Sequence, residues 1–409
     1  MDTILPQRLP PGAALLSRGF RPFFLSAILA AIVLGLLWIL AYSFGQPLLH
    51  PDYPLPAWHG HEMVFGYSAA VLAGFLLTVV RNRTGLPAAR GPVLLTLVLL
   101  WLLARLLPLI PGLPLWLPAL AESLFLLGLL VLTARPLLGL HTWKQLALPG
   151  QAILLLPASL LFHLGLMQVW EPGLQAGLYL GFYLLLGLLL TLGGQVVPHF
   201  IENTVRDGFR ARSNRWLDRL GVGVFVVFAG ADIIAVTISH PFAAYLSVIL
   251  ALVLFVIHAT RIQGWYHHSL WQHPLLWVLY LAYAWIVFGF LLKFLTLAVG
   301  TSPWVALHAF GYGGIGLASM GLLARVTLAH TGRNAFAPPA GTGTALALLA
   351  AGTVIRVLPA WWLPQYYAVW MLAAQLIWMA AFIVLLWVYA PLLLLPRIDK
   401  HHTDPEPMA

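Results

Sequence analysis

Three histidines stand at matching depths on separate apolar segments. His61 precedes Arg81 by 20 residues, His308 precedes Arg325 by 17, and His163 follows Lys144 by 19. At about 1.5 Å of helical rise per residue, these imidazoles lie about 30, 25 and 28 Å from the basic residues that would mark one membrane boundary. His59 accompanies His61 in the run Trp58-His59-Gly60-His61-Glu62. The same outer layer holds Glu122, Asp232, Arg105, Lys293 and Arg356. Imidazoles at one depth can ligate a haem iron or copper. Buried Arg or Lys can offset haem propionates. The competing reading is that these groups pair with one another or face an aqueous vestibule. His61 and His308 read as ligands. For His163 both readings stand, and His59 reads as a loop residue. The chain has no cysteine, which excludes thiolate metal sites, disulfides and Cys nucleophiles.

The elements that must position these groups follow from composition. Of 409 residues, 61% are hydrophobic and 8% charged. A soluble domain carries about 25% charged residues, so lipid is the solvent this chain fits. Spans of roughly 20 apolar residues fall near twelve places, the second near 62–80, the fifth near 146–169 and the tenth near 303–325. The first apolar stretch, from about Pro22 to Phe44, is too long for the core of a signal peptide and reads as an uncleaved helix. The expected fold is all-α: a polytopic integral membrane protein of about twelve transmembrane helices with both termini cytoplasmic. Residues 1–21 form a cytoplasmic N-terminal segment, 22–396 the membrane domain and 397–409 a cytoplasmic tail.

The formal charge of +9 is a topology signal. With the N-terminus inside, 18 of the 21 Lys and Arg residues fall on inner segments. The exceptions, Arg105, Lys293 and Arg356, lie within spans. This pattern argues against nucleic acid as a partner and for the bilayer of a bacterial inner membrane. There is also an internal echo. His61 is followed by Gly74 at +13 and by Thr84-Gly85 at +23 and +24, and His308 by Gly321 and Thr331-Gly332 at the same offsets. The echo relates the second and tenth helices, eight apart, as a four-helix repeat would. With 36 glycines in the chain, coincidence is the other reading. Equal offsets on parallel helices lead to the expectation that His61 and His308 ligate one haem iron from opposite faces. His163 or His59 would then serve copper or a second centre.

A second group of histidines, His199, His258, His267, His268, His273 and His330, falls at the inner face and reads as interfacial. His258, three residues before Arg261 on its helix, fits that reading least. No P-loop and no GxGxxG before a strand is present.

Several stretches resemble the NnrS family of bacterial membrane proteins. They are Arg18-Gly-Phe-Arg-Pro-Phe-Phe-Leu25, His59-Gly-His-Glu-Met-Val-Phe-Gly66 and Ala73-Gly-Phe-Leu-Leu-Thr78. Further along come Arg81-Asn-Arg-Thr-Gly85, Gly193-Gly-Gln-Val-Val-Pro198, His308 and Ala324-Arg-Val-Thr-Leu-Ala-His-Thr-Gly-Arg333. They span the first helix to the tenth, in order. The resemblance implies a protein containing haem, of b-type, and copper, linked to denitrification and relief of nitric-oxide stress. It makes His59, His61 and His308 the prime ligand candidates. A looser, fold-level analogy is with haem–copper oxidases, which also have twelve helices and histidines on the second and tenth.

Three functions compete on these grounds. One is a haem- and copper-binding protein that binds or handles nitric oxide near the periplasmic face and protects against nitrosative stress. Another is a nitric-oxide reductase-type oxidoreductase, for which no electron-donor site is legible. The third is a secondary transporter of a metal or small anion, disfavoured because no pair of interrupted spans stands out in matching positions.

Overall fold

The computed structural model describes residues 14–84, 89–134, 143–205 and 208–398. Among the described residues there are helices and no strands. Lipid imposes this: every backbone N–H and C=O must be satisfied within its own segment. Eleven helices are long and apolar enough to cross a membrane: α1 (Phe20–Ser43), α2 (Leu55–Val79), α3 (Pro92–Leu109), α4 (Trp116–Thr133), α6 (Gly173–Thr204), α7 (Arg215–Ile238), α8 (Pro241–Gln263), α9 (Pro274–Ala298), α10 (Pro303–His330), α11 (Thr342–Trp362) and α12 (Pro364–Leu394). Between α4 and α6 runs the 24-residue α5 (Trp143–Leu166), whose apolar part Ile153–Leu166 is shorter. Twelve segments thus stand where the apolar pattern puts them, and the chain is an all-α polytopic membrane protein. The side chains of Arg8, Arg81, Arg83, Arg135, Lys144, Arg206 and Lys400, and Gly85 of the echo, lie outside the described residues.

Helix starts are written in proline. Pro92, Pro241, Pro274 and Pro303 each occupy the first turn of a helix, where a missing N–H costs nothing. At α2 the chain enters through Pro54 and Pro56. That entry moves the start seven residues ahead of the expected 62, so His59 is helical rather than in a loop. Before α7, Asn214 accepts from the backbone N–H of Trp216 at 2.9 Å and caps the helix.

Each helix packs on the next in sequence, and α12 returns to α1. Within this ring α2, α6 and α10 touch one another. They are the centre: 78% of the α2 and α10 spans is buried, against 33% for α3, α7 and α12. Three inner helices spaced four apart divide the chain into the arcs α2–α5, α6–α9 and α10–α12 with α1.

The structure gives the echo a physical form. The α-helix ending at His61 passes into π-helix over Glu62–Ser68, and that ending at His308 passes into π-helix over Ala309–Gly316. Both π segments begin one residue after the echoed histidine. Polar side chains reach the widened backbone. Trp101 Nε1 donates to Gly66 O at 3.0 Å and Ser68 Oγ to Met63 O at 2.7 Å. Irregular turns therefore do occur at matching positions of α2 and α10, although neither helix is broken. Apolar patterning does not register a π turn, because the segment stays apolar.

Arg21, buried at the start of α1, donates through Nη1 to Leu393 O at 2.7 Å and Leu395 O at 2.5 Å, at the end of α12. The entry of the first helix and the exit of the last thus share one membrane face, as an even helix number requires. The basic residues favour the inside for that face. Reporter fusions near Pro51, Gly112, Glu171 and His240 are expected to report the outside. Fusions in the loop at Arg210 and in the tail at Lys400 are expected to report the inside. A tail found outside would break this topology.

Candidate metal and cofactor sites in the outer half

His61 is two positions after His59, a step of about 200° around a helix, so the two imidazoles leave α2 on opposite sides. This geometry decides the site. His61 turns toward α4 and α5, and His59 toward the centre of the bundle. The structure brings His61 together with His163, and His308 together with His59. The expected pairing of His61 with His308 on one iron is not the pairing the helices make. Equal offsets along parallel helices fix height but not azimuth.

The first cluster lies in the arc α2–α5. Arg105 Nε is 3.0 Å from Glu62 Oε2, and its Nη2 pairs with Glu122 Oε2. His61 holds Glu62 Oε1 at 3.3 Å through Nδ1 and Glu122 Oε1 at 3.2 Å through Nε2. Ser159 Oγ donates to Glu122 Oε1 at 2.5 Å. His163 Nε2 is 3.8 Å from the same oxygen, beyond a hydrogen bond, and neither of its ring nitrogens has a partner. Phe162 stacks on His61 at 4.4 Å. All these ionisable groups are buried. One ligand atom each from His61, Glu122 and His163 can be chosen so that all lie within 4.8 Å of one another, close enough to hold a metal ion. As ions, two carboxylates face one guanidinium, so the cluster calls for one more positive charge. A protonated imidazole or a metal ion supplies it.

The second cluster lines a cavity of about 480 Å³ between α1, α2, α6, α10, α11 and α12. His59 and His308 face it, with Arg356 beside them. His59 stacks on Trp38 at 4.1 Å. His308 Nδ1 donates to Trp304 O at 2.7 Å, which fixes the proton there and leaves Nε2 as a lone pair. That lone pair accepts from Arg356 Nη2 at 2.8 Å. Arg356 Nη2 also reaches Tyr367 Oη at 3.1 Å, while its buried Nη1 has no partner.

The third cluster lies in the arc α6–α9. Lys293 Nζ is 2.6 Å from Asp232 Oδ1, and Tyr183 Oη donates to Asp232 Oδ2 at 2.5 Å. The three bases expected beside a haem therefore differ. Arg105 and Lys293 meet protein carboxylates. Arg356 meets an imidazole, a phenol and the cavity.

The sequence profile of the NnrS protein family matches residues 14–397. The chain belongs to the NnrS family. Membership supports a membrane protein of the nitric-oxide response in general. No curated protein matches the chain.

Sequence reasoning missed two participants. Glu122 was noted for depth and not as a ligand, although its carboxylate joins Arg105, His61 and Ser159 of three different helices. Tyr53, in the loop before α2, has a buried hydroxyl without a partner and its ring 6.3 Å from His61. A tyrosine in a loop carries no depth signal. Of the inner histidines, His258 is buried, whereas His199 is exposed beside Asn203.

Arg105 is the cation on which the NnrS chain's first cluster balances. Arg105→Met would leave Glu62 and Glu122 without it, a loss of about 3–5 kcal/mol for a broken buried pair. Replacing Glu62 and Glu122 by Gln in the same protein is expected to restore most of that stability. Unfolding of the purified variants in detergent checks this. An Arg105→Met variant as stable as the parent would contradict it.

Proposed function

We propose that this protein binds a b-type haem and copper in the outer half of a bacterial inner membrane. There it binds or handles nitric oxide and protects against nitrosative stress. The observation that carries the reading is Arg356, a buried cation whose partners among the described residues are an imidazole and a phenol and no carboxylate, beside two imidazoles that face one cavity. In lipid an uncompensated guanidinium is costly, so the site calls for an anionic group. A haem fits that demand through a propionate. Its flat ring fits a cavity walled by Trp38, Tyr67, Phe182, Tyr312 and Trp378. His59 and His308 are the residues that would hold the iron, and Arg356 the one that would hold the propionate. When bound, the haem would supply a metal that exchanges electrons and that takes a diatomic gas where one of the two imidazoles gives up its position.

The chain's own residues prepare this site. Trp304 O fixes the His308 tautomer so that the free lone pair is the one nearest the cavity side, where Arg356 now donates. Trp38 holds the His59 ring from behind. Aromatic rings make up much of the wall, and the low polarity of that surface strengthens charge interactions beside it.

For copper, His61, Glu122 and His163 form the fitting donor set. Imidazole nitrogen with carboxylate oxygen suits a divalent first-row ion, and copper stands highest in intrinsic affinity. The unpartnered His163 ring supports this, because buried polar atoms without partners are rare unless a ligand belongs there.

Separate substitutions test the assignment. Absorption spectra of His59→Ala and His308→Ala are expected to lose haem or change its spin state while copper content holds. His61→Ala and His163→Ala are expected to lose copper by metal analysis while keeping the haem band. Full haem retention with an unchanged spectrum in both His59→Ala and His308→Ala would overturn the haem assignment.

A further inference from the structure

A second cavity lies on the same central helices, inward of the first. It has a volume of about 320 Å³ between α2, α6, α9 and α10. Along α10 it runs from Ala318 to His330, about 18 Å of helix. Its mouth is at the inner end, where Val326 and Phe200 are half-buried and Ala329 is exposed. Arg325 stands there with its guanidinium 3.6 Å from the Phe200 ring centroid. The rest of the wall is Leu, Val, Ala and Ile side chains with Gly193, Phe75 from α2, the Tyr283 ring on the α9 side and His330 at the inner end.

Tyr283 does not end in apolar packing. Its hydroxyl donates to His258 Nδ1 at 2.7 Å and accepts from Arg261 Nη1 at 2.6 Å. Arg261 Nη1 also donates to His258 Nδ1 at 2.9 Å, so that nitrogen carries the lone pair. Through Nη2, Arg261 pairs at 2.8 Å with Asp218, which is 41% exposed at the inner surface. A buried base is therefore held one hydrogen bond behind the wall of an apolar cavity, in a network anchored at the aqueous face. Arg261 keeps its proton and orients the phenol and the imidazole.

The inner cavity also adjoins the outer one. On α10 Ile315 lines the outer cavity and Ala318 the inner one, about 4.5 Å apart in rise. On α6 the corresponding residues are Phe182 and Leu189, about 10 Å apart.

From these observations we infer that the inner cavity binds a membrane quinol, the electron donor for the haem assigned above, and the inference rests on that haem reading. An apolar tunnel accepts the ring and its hydrocarbon tail. A phenol backed by an unprotonated imidazole suits a ligand that must give up a proton on oxidation. A lipid acyl chain has no use for that pair. On oxidation the hydroquinone loses two electrons and two protons and leaves as the quinone. If the haem is held as assigned, it would accept these electrons one at a time, two ferric haems being reduced to ferrous for each hydroquinone oxidised. One proton passes to Tyr283 as the Tyr283 proton moves to His258 Nδ1, and the other leaves through the mouth. Tyr283 contacts the ligand, and His258 and Arg261 act through it.

The test uses the full-length purified protein in nanodiscs and a decyl-substituted benzoquinone. Retention of the quinone is counted by chromatography, and haem reduction by the corresponding quinol is followed by absorbance. The parent is expected to retain about one quinone per chain and to be reduced. Leu322→Trp fills the tunnel and is expected to weaken retention and slow quinol reduction by at least about tenfold, as blocking an apolar pocket does. Dithionite should reduce both proteins alike. Tyr283→Phe keeps the tunnel and the fold, so it is expected to retain quinone while reduction slows and its dependence on pH changes. A parent that retains no quinone, a Leu322→Trp variant that retains as much, or a co-purifying acyl lipid in its place would overturn the inference. Retention is read without haem, so a failure of the haem assignment shows separately as a missing haem band.

Discussion

A charge in hydrocarbon has no water to turn to, and this one constraint organises the outer half of the protein. A charged side chain at the centre of a bilayer helix costs about 2.5–3.5 kcal/mol even on insertion scales. Among the described residues the outer half nevertheless holds His59, His61, Glu62, Arg105, Glu122, His163, Asp232, Lys293, His308 and Arg356. Each is drawn toward partners on other helices, so the pairings specify which helices meet. Glu122 alone ties α4 to α2 through His61, to α3 through Arg105 and to α5 through Ser159. Apolar contacts cannot do this, because lipid competes with them on nearly equal terms. The polar clusters are thus both the fastening of the bundle and the seat of chemistry in its outer half.

The arrangement repeats. Each four-helix arc carries one cluster in its outer half: His61 and Arg105 in the first, Asp232 and Lys293 in the second, His308 and Arg356 in the third. In the first and third the histidine ends an α-helical turn on the inner helix, a π segment follows at once, and an arginine comes from the next helix. A π turn adds a residue per turn and rotates everything after it, and such turns concentrate at functional sites. Here each stands between a histidine near the outer end and a packing glycine deeper in the span, Gly74 against Phe24 of α1 and Gly321 against Val278 of α9. The second arc lacks the histidine and the π segment, and its polar groups close on one another through Tyr183. A shared scaffold has therefore kept open sites in the first and third arcs and a closed ion pair in the second.

Depth was legible in the sequence and azimuth was not. Counting residues from Arg81 and Arg325 placed His61 and His308 in one outer layer, because rise along a helix is fixed. The same counting could not say that His59 and His61 leave α2 on opposite sides toward different neighbours, since that depends on which helices stand there. The start of α2 was read seven residues late because Pro54 and Pro56 look like loop residues until they are recognised as a first helical turn. The membership of Arg356 rather than Lys293 in the cavity was also hidden. Both are single bases at similar depth, and only the location of a carboxylate, Asp232, on a facing helix separates them. Spans and the basic bias survive because they are properties of one segment at a time. Sites are properties of several.

One turn of α2 belongs to both outer sites. His59 faces the cavity, His61 faces Glu122 and His163, and Gly60 between them packs closely against Leu178 of α6. A side chain at that position would meet Leu178 at 2.9 Å, so glycine lets this turn lie close to the central helix. The two sites therefore share one short segment of α2. The spacing His-Gly-His is short because the two sites share a wall, and glycine is its middle residue because that wall is pressed against α6.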